Sequence, residues 1–240
     1  MPVIDPDVYV ISYPKSGRTW LRALIGKVLC DVYGFSEEHL MLTRELTHEA
    51  KWPTIGFDHD GWAWPLEKAP RPLSRYKDKK VILLSRDIKD TLVSYYFQMT
   101  KRRKKFKGSM SEFIRHDKLG LLNILGFYDR WKNGDKIAKK FMRISYEGLH
   151  NAPRLRLYET LEFIGKKVPN DVINHAVAFC SFDNLQALEK SKTVKSIKLQ
   201  PRNPDDPESY KMRRGIIGGY KDYLSQEDIE FIDKWTKRRH

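Results

Sequence analysis

Val8-Tyr9-Val10-Ile11-Ser12-Tyr13-Pro14-Lys15-Ser16-Gly17-Arg18-Thr19-Trp20-Leu21 changes its periodicity half-way along. Val8 to Ser12 is a short β-branched run bounded by Pro14 and Gly17, which reads as a buried strand. Beyond it, Trp20, Leu21, Leu24, Ile25, Val28 and Leu29 recur at helical spacing. Residues 13–18 are therefore a strand-to-helix turn. Free backbone N–H groups and the helix dipole favour an anion there. Gly17 lets the backbone come close to a phosphate, Lys15 adds a point charge, and Ser16 and Thr19 add hydroxyl donors.

The same grammar recurs downstream. Val81-Ile82-Leu83-Leu84 predicts a second buried strand, with Ser85-Arg86-Asp87 turning into a helix that carries Leu92, Val93, Tyr96 and Phe97. Phe141-Met142-Arg143-Ile144 predicts a third, followed by helices near 153–164 and 170–179, and 54–57 a weaker strand. Strands alternating with helices predict an α/β fold: a central parallel sheet flanked by helices, in a single domain over 1–240 with no repeat or linker. Ligands of such sheets sit at the carboxyl ends of the strands. Residues 191–210, rich in proline and charge, read as a loop or mobile lid. Ser225-Gln226-Glu227-Asp228 reads as a capping box opening a last helix, with Ile229, Ile232 and Trp235 inward.

Composition narrows the function classes. Hydrophobic residues make up 40% of the 240 and charged residues 32%, which excludes a disordered or low-complexity chain. Forty-five Lys and Arg against 31 Asp and Glu give a net charge of +14, pointing to an anionic partner. Cys30 and Cys180 are the only cysteines, so no disulfide framework is expected and a reducing cytoplasm fits. No basic, apolar leader opens the chain and no apolar run approaches the roughly 18 residues of a membrane span. A soluble cytoplasmic protein is the expectation. No Cys/His cluster has metal-ligand spacing.

Tyr13-Pro14-Lys15-Ser16-Gly17-Arg18-Thr19-Trp20 resembles the 5′-phosphosulfate loop of the cytosolic-type sulfotransferases. These use 3′-phosphoadenosine-5′-phosphosulfate (PAPS) and release 3′,5′-adenosine bisphosphate (PAP). The family's other parts follow in order, over residues 8–236. Arg86 and Ser94, eight apart, are similar to its 3′-phosphate loop. Met212-Arg213-Arg214-Gly215-Ile216-Ile217-Gly218-Gly219-Tyr220-Lys221 resembles its C-terminal Arg-Lys-Gly segment, so Arg213, Arg214 and Gly215 are implied at the same phosphate. Tyr146, in Ile144-Ser145-Tyr146-Glu147, and Ser181 and Phe182, in Cys180-Ser181-Phe182, resemble segments that hold adenine, with Trp20 stacking on the base.

Of the seven histidines, His59 stands just past the weak strand, at the edge where a ligand cleft should lie, and matches the family's catalytic histidine in order. A side chain that titrates near 6.5 suits removal of a hydroxyl proton at neutral pH. The resemblance thus implies a PAPS-dependent sulfotransferase acting on a hydroxyl or amine of a small-molecule acceptor, with His59 as base and Lys15 stabilising the leaving phosphate. Three departures stand out. Asp58 replaces a lysine common before the histidine; it is expected to raise the pKa of His59 or to draw a cationic acceptor. Arg18 replaces a threonine and is expected to add charge beside the phosphosulfate as a donor-binding residue, and Gly219-Tyr220 replaces Asp-Trp. The chain is also short for the family, which implies trimmed acceptor loops at 58–75, 100–120 and 191–210.

Two other readings stay open at this level. An ATP/Mg-dependent P-loop kinase shares the strand–loop–helix scaffold. Its lysine, however, follows the glycine, and Arg86 stands where a metal-binding acid belongs. A nucleic-acid-binding module is suggested by Lys101-Arg102-Arg103-Lys104-Lys105-Phe106-Lys107, which otherwise reads as a solvated helix end. No helix-turn-helix or stacking-platform signature accompanies that run. The oligomeric state has no sequence signal.

Overall fold

The computed structural model describes residues 4–62, 70–191, 193, 194, 196, 199, 203 and 205–237. Four short apolar runs become the strands of one parallel sheet: β1 (Val8–Ser12), β2 (Ile55–Asp58), β3 (Lys80–Ser85) and β4 (Lys140–Ser145), in the order β2-β1-β3-β4. Side chains alternate across a strand, so the sheet feeds two cores. Val8, Val10, Ile82, Leu84 and Ile55 enter one, while Tyr9, Ile11, Val81 and Leu83 enter the other. A strand buried on both faces needs a continuous apolar run, which is why β1 carries no charged residue.

Eleven α-helices occur among the described residues: α1 (Arg18–Tyr33), α2 (Thr43–Glu49), α3 (Ile88–Phe97), α4 (Met110–Arg115), α5 (Leu121–Trp131), α6 (Gly134–Ile137), α7 (Tyr146–Asn151), α8 (Pro153–Ile164), α9 (Asn170–Phe179), α10 (Phe182–Ser191) and α11 (Gln226–Lys237). Leu24 and Val28 of α1, Leu157 and Leu161 of α8 and Ile173 of α9 fill the first core. Leu92 of α3, Phe127 of α5 and Ile232 of α11 fill the second. Helix α1 lies unusually close to its neighbour: a Cβ built on Gly26 would stand 1.8 Å from the Leu40 carbonyl oxygen. No helix among the described residues is long and apolar enough to cross a membrane.

The chain leaves β1 toward β2 on one side and leaves β3 toward β4 on the other. The strand order therefore reverses between β1 and β3, and their carboxyl ends frame the crevice where ligands of such sheets collect.

Two expectations need correction. The opening of α11 is half a capping box: Ser225 Oγ accepts from the Asp228 amide at 3.1 Å, but the Asp228 carboxylate turns to Ser111 and Arg115 instead of back to Ser225. A buried carboxylate gains more from a guanidinium than from one amide. The basic run is only partly solvated. It leaves α3 through a wide π-type turn at Gln98–Arg102, and Arg102 Nη1 donates to Glu189 Oε1 (3.2 Å) and to the Ser209 carbonyl (2.6 Å). Of the stretch 191–210 read as irregular, residues 192, 195, 197, 198, 200–202 and 204 lie outside the described residues, and Pro207–Ser209 form a single 3₁₀ turn.

Candidate active site

The loop after β1 makes its turn with Lys15 at φ 72° and Gly17 at φ 93°. Lys15 holds a left-handed conformation that costs a non-glycine residue roughly 1–3 kcal/mol, the kind of strain that collects at ligand sites. Gly17 is required twice over, because a Cβ there would also lie 2.6 Å from the Tyr146 ring. It caps α1 without a side chain; the Trp20 amide turns to the Gly17 carbonyl at 2.9 Å, and the Arg18 and Thr19 amides are left for an outside acceptor.

That turn forms one wall of a cavity of about 350 Å³. Lys15, Gly17, Arg18, Thr19, Trp20 and His59 line it together with Arg86, Ser94, Tyr146, Ser181, Phe182, Arg213, Arg214 and Gly215. Of the residues singled out in the sequence, only Ser16 is absent from the lining; it is fully buried under the loop. Arg86, at the tip of β3, reaches across the crevice: its Nη1 donates to the Lys15 carbonyl at 3.1 Å and its guanidinium lies 4.3 Å over the Tyr146 ring. Trp20 is fixed by its Nε1, which donates to the Cys180 carbonyl at 2.9 Å, and it meets Tyr146 edge-on.

The charge in this cavity is lopsided. Arg213 pairs with Glu208 (2.9 Å) and Arg214 with Asp222 (2.6 Å). Among the described residues no carboxylate lies within ion-pair distance of Lys15, Arg18, Arg86 or Lys211. Arg18 Nη1, Arg86 Nε and Arg213 Nε are buried with no hydrogen-bond partner. Burial and the cations Lys211, Arg102 and Arg86 hold the Lys15 ammonium well below its usual range. Burial, with Arg102 and Arg18 nearby, pulls Lys211 down to about 7. Cations gathered without counter-charge are costly unless an anion joins them.

His59 follows β2 and turns into the same cavity. Its Nδ1 lies 2.7 Å from the Ser12 carbonyl oxygen and its Nε2 lies 2.6 Å from Arg18 Nη2. A carbonyl only accepts and a guanidinium only donates, so Nδ1 carries the proton and the Nε2 lone pair accepts from Arg18. Burial, then the Arg18 charge, keeps the imidazole well below its usual pKa. The expected raising of the His59 pKa by Asp58 is overturned: the Asp58 carboxylate pairs with Arg71 at 3.1 Å and accepts the Asp60 amide, and the histidine's pKa is lowered. Asp60 holds the loop instead. Fully buried, it accepts from Tyr76 (2.8 Å), Arg130 (2.6 Å) and Trp131 (3.2 Å).

A family model described as "Sulfotransferase domain" matches residues 5–240. The chain belongs to the sulfotransferase domain family. A flavonol sulfotransferase-like protein of Flaveria bidentis is 28% identical over 254 residues, covering 95% of this chain and 79% of its own. Cytosolic sulfotransferase 13 of Arabidopsis thaliana is 26% identical, covering 98% of this chain and 77% of its own. Among solved structures, retinol dehydratase with retinol and PAP superposes with a TM-score of 0.70 at 16% identity, over 99% of this chain and 82% of that one. A mouse sulfotransferase with PAP gives 0.64 at 17% identity, over 97% and 82%. This family is one of enzymes, and the four-stranded parallel sheet flanked by helices is the fold of those structures.

Four groups of this sulfotransferase-family site escaped the sequence reading. Lys211 lines the cavity one residue before Met212, where the C-terminal motif was taken to begin. His150 lines it too, with Nε2 3.0 Å from the Gly215 carbonyl oxygen. Asp90, 3% exposed, accepts the Gly218 and Tyr220 amides at 2.7 and 2.9 Å. Glu189, 0% exposed, accepts the Lys211 and Met212 amides at 2.6 and 2.8 Å. The two carboxylates pin the segment that carries Arg213, Arg214 and Gly215. A cationic residue beside a known basic motif was the one available signal, at Lys211; the rest needed the fold.

Proposed function

We propose that the chain transfers the sulfuryl group of PAPS to a hydroxyl or amine of a small-molecule acceptor. The observation that carries this reading is the meeting of three distant segments, 15–20, 86–94 and 211–215, on one cavity. The unpartnered nitrogens of Arg86 and Arg213 suit a ligand with several anionic groups. The solved relatives carry PAP in that same fold, and one curated relative is named a cytosolic enzyme, consistent with a cytoplasmic setting.

In this reading the loop amides of 15–20, Ser16 included, hold the phosphosulfate together with the Lys15 and Thr19 side chains. Arg86, Ser94, Arg213, Arg214 and the Gly215 backbone hold the 3′-phosphate. Trp20, Tyr146, Ser181 and Phe182 hold the base. The donor, when bound, supplies the sulfuryl group and a phosphate that leaves. His59 takes the acceptor proton at Nε2, the nitrogen that the Ser12 carbonyl leaves free. Lys15 stabilises the negative charge on the departing phosphate oxygen. As in loose phosphoryl transfer, positioning and electrostatics do most of the work.

Thermal unfolding with PAP, beside ATP with magnesium, tests the donor site. Ligand at a hundred times its Kd adds about 2.7 kcal/mol, or roughly 5–10 °C for a chain of this size. That rise with PAP and not with ATP and magnesium is the expected result. A rise with ATP and magnesium alone would make the chain a kinase, and a salt-sensitive rise with oligonucleotides alone would make it a nucleic-acid module.

A further inference from the structure

We infer that the acceptor of this enzyme carries an anionic group, a carboxylate or phosphate ester, which the Arg18 side chain recognises beside the hydroxyl to be modified. The inference rests on the sulfuryl-transfer reading and deepens it.

Three cations stand at the His59 end of the cavity: Lys15, Arg18 and Lys211 line it, and Arg18 and Lys211 both act on the histidine. A phosphosulfate brings one charge on its phosphate and one on its sulfonate. Lys15 and the first-turn amides of α1 already face those charges. One cation too many remains. Arg18 is the one turned aside from the loop: its Nη2 sits on His59 Nε2 and its Nη1 is buried without a partner. Arg22, next on the same face of α1, adds charge and is itself spent on the Phe57 ring at 4.4 Å. Asp58, the carboxylate whose charge reaches Arg18, makes its ion pair with Arg71 instead, at 3.1 Å.

The position of Arg18 has a second consequence. The lone pair that must take the acceptor proton is occupied by a guanidinium hydrogen bond, so a neutral alcohol would have to displace Arg18 with only an uncharged oxygen to offer it. An acceptor bearing an anion gives the guanidinium a bond with charge on both partners, stronger than the one to a neutral imidazole, and so uncovers the base. Recognition of the anion and freeing of Nε2 are then one event.

Matched pairs test this: 4-hydroxyphenylacetate against 4-ethylphenol, and glycerol 3-phosphate against glycerol, titrated calorimetrically into the full chain saturated with PAP. Binding of PAP alone tests the donor reading, so the two failures are told apart. In at least one pair the anionic member is expected to bind ten-fold or more tightly. Arg18→Met should reduce that ratio to near one, while Arg18→Lys should keep most of it. Using the ratio within a pair cancels any general damage to the site. A ratio near one in both pairs, or one that Arg18→Met leaves unchanged, would overturn the inference.

Discussion

His59 and Lys15 stand in unlike environments for one reason each. The Ser12 carbonyl fixes the histidine tautomer, while burial and Arg18 keep the ring neutral. Lys15 feels three cations against one carboxylate, Glu189, so its charge is worth most when an anion arrives. Loss of one such preorganised group costs about 10²–10³ in rate. Lys15→Ala and His59→Ala are each expected to lower kcat by at least that much, measured by sulfate transfer from PAPS, and near wild-type turnover would strip the residue of its role. Because the histidine's pKa is lowered, the acid limb of kcat/KM for the acceptor should lie below pH 6.5, where an unperturbed imidazole would already be half protonated. Gly17→Ala puts a Cβ at φ 93° and 2.6 Å from Tyr146. A loss of about 2 kcal/mol in chemical denaturation is expected, with weakened PAP binding. Lys15, Gly17 and His59 could be picked out from sequence because local chemistry betrays them: a strand end, a glycine, a base after a strand. The tautomer and the Arg18 contact could not, since they depend on residues 47 and 41 positions away.

At the scale of elements, hydrophobic spacing located β1, β3, β4, α1, α8 and α9, because each buries a face whose period shows in the chain. What holds the C-terminal segment left no such trace. Asp90 lies in the first turn of α3 and reads as an ordinary helix acid, yet it binds an amide 128 positions away. Glu189 sits in α10 and reads as solvent-facing, yet it is wholly buried against Arg102 and the 211–212 backbone. That second pairing also gives the basic run its structural task at Arg102. Removing a buried charged acceptor leaves its donors unsatisfied, at about 1–3 kcal/mol each. Asp90→Ala and Glu189→Gln should therefore loosen residues 211–220 and weaken PAP binding ten-fold or more by calorimetry. The expected signature is faster amide exchange at Met212, Gly218 and Tyr220, with the β1–β3 amides unchanged. Unaltered exchange at those three amides would remove the pins from the account.

For the whole molecule, the α/β class and parallel pairing followed from alternation of strand and helix, but not the strand order, which is set by long-range packing on two cores. The order matters because the reversal between β1 and β3 is what gathers the cations of 15–18, 86 and 211–214 into one cavity. A fold that concentrates positive charge, in a chain of net +14, is strained until an anion binds. That strain has a sign in pH. Lys211 titrates at about 7 in the folded chain against an ordinary value of 10.5, and Lys15 is lowered in the same direction. Between those values the unfolded chain binds more protons than the folded one, so stability rises with pH, and the penalty is fully present below 7. The urea midpoint is therefore expected to climb from pH 6.5 to 9. Lys211→Met should flatten part of that climb, which separates the lysine from the general relief of net charge. Saturating PAPS should flatten it as well, because a bound anion restores the ordinary lysine pKa and lifts stability most at the acid end of the window. A midpoint that falls over this range in the free protein, or that rises equally in Lys211→Met, would mean the uncompensated cations do not govern the molecule's pH response.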